Sequence, residues 1–507
     1  LLASCHESPS APVDASPGVA TTATASVSAP AAVAPAPSGS GDLTSPLPRA
    51  TPVLRDAVLG LSRKIAEYGG QLGVAMLEIG SGDLVAAHDD RLPLNPASNA
   101  KLFTAAAALS LLHGNYRFET GLYGEQTGSS VNRLVLRGHG DPSLATRDLW
   151  DMVQELQSSG VQRVEGDILV DQRFFDDDFV PPAFEQQPNE WASFRAPVSA
   201  VALNENTIKM DVRPGVVDAA ALVSFEPPGF VDVDGVVKTA AAGSPQNVRL
   251  ELAPSGYRMS AHVAGSIGAQ ESPMEFNRRV DNPTLLAGYA LKALLSVAGI
   301  PVGGGVKPGG EQQKRALVLH RSRPLASMLD ELGKASDNFY AEMVFKTIGA
   351  EQKGRPGKSA NGADAVTKYL RDLGIFEEGT VLRNGSGLFD ADRVTAGETT
   401  KLLRAVYLNP AIAPEYLAQL AVGGVDGTLH RRFRELKDKR IVRAKTGTLE
   451  SAVALSGYVL APPGRSPVAF SILVNRVAGR VADARAALDH CVDELVRYVW
   501  REEHARN

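Results

Sequence analysis

Three short stretches of this chain carry residues that together suit the opening of an amide bond. The first is Pro96-Ala97-Ser98-Asn99-Ala100-Lys101-Leu102, where Ser98 and Lys101 stand three apart at the start of a strong helical pattern running on from Phe103 to Leu112. Positions i and i+3 of a helix share a face, so hydroxyl and amine can meet. Serine is a weak nucleophile until a neighbouring base takes its proton. Lysine serves as that base only when burial or nearby positive charge lowers its pKa, and a helix N-terminus adds to that field. A lone Ser-x-x-Lys arises by chance roughly once in a chain this long. Two rarer motifs follow it, Ser336-Asp337-Asn338 and Lys445-Thr446-Gly447, each present once.

The ordered set fits acyl transfer. Ser98 attacks a carbonyl carbon while Lys101, as free amine, takes its proton. Ser336 passes a proton between that lysine and the leaving nitrogen, and Asn338 offers amide hydrogen bonds to a peptide-like substrate. Lys445 supplies a fixed positive charge, and Thr446 a hydroxyl, for a substrate carboxylate. Gly447 lets the strand backbone approach the substrate. The backbone N–H groups of Ser98 and Thr448 form the oxyanion hole, in which each donor is worth about 3 kcal/mol of transition-state stabilisation.

These residues need elements to hold them. Val53 to Tyr68 has helical spacing, and Gly73 to Ile79 and Leu84 to His88 read as strands around the turn Gly80-Ser81-Gly82-Asp83. From about Glu119 short strand-like runs alternate with Pro/Gly-rich loops, with helices expected at Arg147 to Ser158 and Asn282 to Ala298. Helices return with Leu325 to Lys334 and the segment after Asn338. Ile441 to Thr448, Ala452 to Leu460 and Val468 to Val474 suit consecutive antiparallel strands, and a helix from Ala482 to Trp500 closes the chain. Strands from both ends can then form one sheet covered by helices, an α/β sandwich interrupted by an insertion. The expected division is 1–49 as a tether, 50–118 and 308–507 as one domain, and 119–307 as the insertion.

Composition narrows the function. A chain of 507 residues is too long for one compact core. Its formal net charge of -5 and lack of a basic stripe give no hint of nucleic-acid binding. Two cysteines, Cys5 and Cys491, exclude a disulfide framework and a cysteine-based metal site. Leu2-Ala3-Ser4-Cys5 resembles the lipobox ending a bacterial lipoprotein signal peptide, with the numbering starting inside that peptide. Cleavage before Cys5 leaves it to carry lipid, and the Ala/Pro/Ser-rich residues from His6 to Ser45 have the composition of a flexible tether. Cys491 then reads as a small buried apolar residue. The acidic run Asp176-Asp177-Asp178 reads as a solvated loop, Asp426 as a turn former, and Asp141 as the start of a turn. No metal is expected.

The motif set is that of the penicillin-interacting serine enzymes. From about 50 to 500 the chain resembles the D-alanyl-D-alanine carboxypeptidase/endopeptidases of the low-molecular-mass class C penicillin-binding proteins. Gly140-Asp141-Pro142-Ser143-Leu144, Ala196-Pro197-Val198-Ser199-Ala200, Asn384-Gly385-Ser386-Gly387-Leu388 and Gly424-Val425-Asp426-Gly427-Thr428-Leu429 extend the resemblance. It implies a penicillin-binding/β-lactamase-like sandwich with two smaller β-rich inserted domains. It further implies cleavage of terminal D-Ala and of cross-links in peptidoglycan stem peptides, acylation of the serine by penicillins and other β-lactams, and no cofactor. The family often has Ser-Arg after the Ser-Gly-Leu of the Gly-rich loop. Here the residues are Phe389 and Asp390, with Arg393 displaced, so no arginine contact is carried over. Two alternatives stand beside this reading. A serine β-lactamase of class A needs Glu-x-x-x-Asn, and no glutamate between 339 and 444 has an asparagine four residues on; class C enzymes normally have Tyr where Ser336 stands. A non-catalytic peptidoglycan-binding lipoprotein has no need of nucleophile and base.

Overall fold

A computed structural model describes residues 52–310 and 315–501. Residues 1–49, with the expected tether and Cys5, lie outside the described residues. The central sheet has six strands in the order Ala421–Val422, Val442–Thr448, Ala452–Val459, Val468–Asn475, Gln71–Glu78 and Leu84–His88, every pairing antiparallel. The two ends of the chain therefore meet in one sheet, where Gln71–Glu78 lies against Val468–Asn475 along its full length.

Side-chain alternation explains why these strands read as continuous apolar runs. Along Ala452–Val459 all eight residues are buried. Val453, Leu455 and Val459 face a core shared with Leu54, Leu61 and Ile65 of helix Pro52–Glu67 and with Leu488, Cys491 and Leu495 of helix Val481–Val499. Ala454 and Tyr458 face the opposite core, shared with Leu102 and Phe103 of helix Ala100–Leu111, Phe345 of Asn338–Lys353 and Leu402 of Ala396–Tyr407. A sheet covered by helices on both faces needs apolar residues at every strand position. Cys491 is the small buried residue expected, and burial pushes its thiol up to about 12. Among the described residues no helix is long and apolar enough to cross a membrane.

Residues 119–321 build further sheets. One orders Val306–Pro308, Ile168–Asp171, Leu134–Gly138, Glu119–Tyr123 and Ala316–Arg321, packed on helices Thr146–Ser158 and Leu286–Val297. Ala316–Arg321 lies past the expected boundary at 307 yet pairs with Glu119–Tyr123. Two three-stranded sheets cover a smaller core around Met210, Val237 and Ile267.

Three local expectations differ from what is observed. The helix expected from Asn282 begins at Leu286, because Pro283 sits in a turn whose carbonyl accepts the Leu286 N–H. The helix expected over Leu325 to Lys334 is α-helical only to Asp330, and Glu331–Ala335 widens into a π-turn. Asp176, expected in a solvated loop, accepts at 2.5 Å from Lys346, a lysine buried in helix Asn338–Lys353 whose Nζ also reaches Asp178 O at 2.9 Å. A buried ammonium must be paired, so this loop is held down on the helix that carries Asn338.

Candidate active site

Ser98 precedes its helix instead of lying within it. Ala97–Asn99 is a single 3-10 turn leading into helix Ala100–Leu111. Ala97 takes a left-handed φ of 46°, a strained conformation for a residue with a side chain. Asn95 holds it there, its Oδ1 accepting from Ala97 N at 2.8 Å, while Asn95 itself is clamped to Asn475 of the last strand through bonds of 2.8 and 2.9 Å. Two glycines make room for this turn. A Cβ on Gly387 would lie 1.9 Å from Ala97 O, and one on Gly447 would lie 2.8 Å from Pro96 O. The missing side chain of Gly447 thus admits the nucleophile's own turn.

Lys101 is fully buried, with Nζ 3.1 Å from Ser98 Oγ. Nζ also donates to Asn338 Oδ1 at 2.7 Å and to Ser386 O at 2.8 Å. A free amine has two N–H groups and one lone pair. The two carbonyl oxygens use both donors, which turns the lone pair toward the Ser98 hydroxyl. Burial lowers the Lys101 pKa to about 8, opposed by the negative charges of Asp337, Glu342 and Asp392. The free-amine fraction therefore rises about tenfold per pH unit below 8 and levels off above it. We expect the second-order rate of acylation by penicillin to climb from pH 6 to 8 and then flatten. A stopped-flow profile level across that interval contradicts a lysine base.

The second motif enters from the π-turn. Ser336 has φ 62°, and Asp337 caps helix Asn338–Lys353 by accepting from Tyr340 N at 2.8 Å. Ser336 Oγ accepts from Lys445 Nζ at 2.6 Å; this is its hydrogen bond, whereas the sequence suggested a partner in Lys101. Asn338, expected to meet substrate, accepts from Lys101 at Oδ1 and gives one of its two Nδ2 hydrogens to Phe194 O at 3.1 Å. Lys445 is buried, also donating to Thr446 O at 2.9 Å, and both burial and the nearby Lys101 charge push its pKa well down. Thr446 donates to Thr428 Oγ1 at 2.8 Å. Ser98, Ser336, Asn338 and Thr448 line one cavity of about 1080 Å³. The three distant motifs thus converge within hydrogen-bonding reach of one another.

Several residues at the site were not foreseen. Glu342, fully buried one turn after Asn338, accepts from Gly385 N at 3.1 Å and Ser386 N at 2.8 Å, the residue whose carbonyl holds Lys101. Burial raises the Glu342 pKa and raises that of Asp392 to about 7. A Glu and a Lys inside the run Phe339 to Phe345 and beyond, apolar on every side, were the available signal, since charges in such a helix must be paired. Phe389, left-handed at φ 64°, meets the Phe184 ring edge-on at 5.8 Å and lies 5.7 Å from the Arg195 guanidinium. Arg393 is paired with Asp390 at 2.7 Å, and both line the cavity. Asp426 is the expected turn former, accepting from Val422 N at 2.7 Å, and also pairs with Lys334. Among the described residues no group of three His, Cys, Asp or Glu side chains suits a metal ion.

Comparison with known proteins agrees with this geometry. A D-alanyl-D-alanine carboxypeptidase of Actinomadura sp. (strain R39) is 34% identical over 445 residues, 84% of this chain and 81% of that protein. The crystal structure of penicillin binding protein 4 from Haemophilus influenzae superposes with a TM-score of 0.72 at 24% identity, covering 86% of this chain and 99% of that one. The same protein complexed with a β-lactam gives a TM-score of 0.68 over 87% of this chain and 100% of that one, also at 24% identity. Residues 62–495 match the D-Ala-D-Ala carboxypeptidase 3 (S13) family, and the chain belongs to that family of serine-type carboxypeptidases.

Proposed function

We propose that the protein hydrolyses the D-Ala-D-Ala bond of peptidoglycan stem peptides, and the related cross-links, through an acyl-enzyme on Ser98 that β-lactams also form. The observation that carries this reading is Lys101 Nζ, buried and 3.1 Å from Ser98 Oγ with its two donors already taken. Ser98 Oγ attacks the carbonyl carbon as its proton passes to Lys101. Lys101 then gives that proton up through Ser336 Oγ, which Lys445 holds, to the departing nitrogen as the C–N bond breaks, so that Lys101 is again a free amine and Lys445 keeps its charge. Lys445 and Thr446 receive the substrate carboxylate. The backbone N–H groups of Ser98 and Thr448, residues that flank the cavity, take the oxyanion. Water then hydrolyses the ester. No cofactor enters this sequence.

The substrate places the enzyme outside the cytoplasm, in the periplasm. Lipid on Cys5 and the chain to residue 49 tether it to a membrane. Residues 50–118 and 308–507 form the catalytic domain, apart from strand Ala316–Arg321, which joins the inserted sheet, and 119–307 form the inserted ones. Mass analysis of membrane-extracted protein checks the lipid.

Incubation with penicillin should yield a long-lived adduct of one penicillin mass, mapping to the peptide that contains Ser98, and the enzyme should release D-Ala from a muramyl pentapeptide. Rapid multiple turnover of penicillin would identify a β-lactamase instead. Absence of both adduct and release would leave a binding protein.

A further inference from the structure

The strand Val442–Thr448 has a second face that the mechanism above uses only in part. Lys445 turns to Ser336 and Gly447 to the Pro96–Ala97 turn, so Thr446 and Thr448 point the other way. There they line a separate basin of about 510 Å³. Thr448 borders both this basin and the nucleophile cavity, so the two adjoin at that residue.

The basin is cationic. Lys334 is offset by Asp426 at 2.9 Å, and Arg432 by Asp489. Arg485, from helix Val481–Val499, has no such partner: its hydrogen bond is to Thr448 Oγ1 at 3.4 Å, and among the described residues no carboxylate pairs with it. His430 Nδ1 is taken by Gly427 O at 3.0 Å. Arg485 is thus the cation on this wall available to an incoming anion, set beside the hydroxyl of the residue that also borders the nucleophile cavity.

We infer that this basin is a subsite for an acidic peptide leaving group, with Arg485 as its distal carboxylate contact. The inference rests on the function proposed above. With the attacked carbonyl at Ser98 and the leaving nitrogen at Ser336, a carboxylate next to that nitrogen lies at Thr446, and whatever extends beyond it enters the basin. A single amino acid ends at Thr446. A leaving amine that carries its own peptide, with further carboxylates, reaches Arg485 and gains a charge-assisted hydrogen bond. The bond broken is the same amide, and the amine departs with the proton delivered through Ser336.

Two branched peptides test this. In both, a D-alanyl carbonyl is joined to an amine beside a free carboxylate, on a diamino acid that bears a second peptide. In one the distal carboxylates are free, and in the other they are amidated. Wild-type enzyme should show kcat/KM about fivefold higher for the free acid, the scale of a partly exposed charge pair. Arg485→Ala should remove that preference, Arg485→Lys should keep part of it, and Arg485→Glu should reverse it. Equal kcat/KM for the two peptides in wild type overturns the inference without any variant, and so does a preference that survives Arg485→Ala. Penicillin labelling of Ser98 and D-Ala release, measured alongside, separate the outcomes. If they persist while the preference is absent, the subsite falls and the proposed function stands; if they too are absent, the function itself falls.

Discussion

Ser98→Ala should reduce D-Ala release to background and abolish the covalent penicillin adduct, and Lys101→Met should slow acylation by about 1,000- to 10,000-fold while leaving the hydroxyl in place. The second variant is the sharper one. Methionine fills the lysine's volume without an amine, at a position with no solvent access, so it removes the base and little of the packing. Asn338 Oδ1 and Ser386 O lose their donor, which costs about 1–3 kcal/mol of stability for each buried acceptor. Circular dichroism and the unfolding temperature report that loss separately from the rate. Acylation within tenfold of wild type in a folded Lys101→Met protein would mean that some other group takes the Ser98 proton. Lysine is able to act here because the fold desolvates it while surrounding it with acids, Asp337, Glu342 and Asp392, that oppose a deeper drop in its pKa.

The parts of this site that were legible from sequence are those whose chemistry is local. Ser98 and Lys101 sit on consecutive turns, and Lys445 to Thr448 form one strand, so residue type and spacing alone carry their meaning. The central sheet was legible for a related reason, since strands buried on both faces are apolar throughout. Long-range pairing left no such trace. Nothing in Asp176-Asp177-Asp178 announces that one of its carboxylates will meet Lys346 across the fold. The strain at Ala97 and Ser336, both left-handed, is set by what closes over them, and neither is a residue type that favours a positive φ. Ser336 was assigned a partner by proximity in the reaction, whereas the π-turn before it presents its hydroxyl to Lys445. Arg393 shows the converse. Its displacement from the family's arginine position is plain in the sequence, but only the structure joins it to Asp390 and sets Phe389 between Phe184 and Arg195.

Glu342 is the residue whose loss should be felt most widely after the nucleophile and its base. Its carboxylate receives Gly385 N and Ser386 N, and the Ser386 carbonyl in turn receives Lys101 Nζ. Gly385 permits this closeness, because a Cβ there would lie 2.6 Å from both Ala341 O and Phe345 Cβ. Glu342→Ala leaves two buried N–H groups without acceptors and frees the loop that aims the lysine. We expect acylation to fall about 100-fold, the usual consequence of an ångström-scale misplacement, together with a lower unfolding temperature. A purely structural role would produce the second effect, so the distinguishing variant is Glu342→Gln. Its amide oxygen still accepts one N–H, while the negative charge that supports protonation of Lys101 is gone. Removing a contribution that raises the lysine pKa lowers it, so the rising limb of acylation should move to a pH below that of wild type. Glu342→Gln with an unshifted limb and an unchanged rate would reduce Glu342 to a loop anchor and leave Asp337 and Asp392 as the acids that set the base.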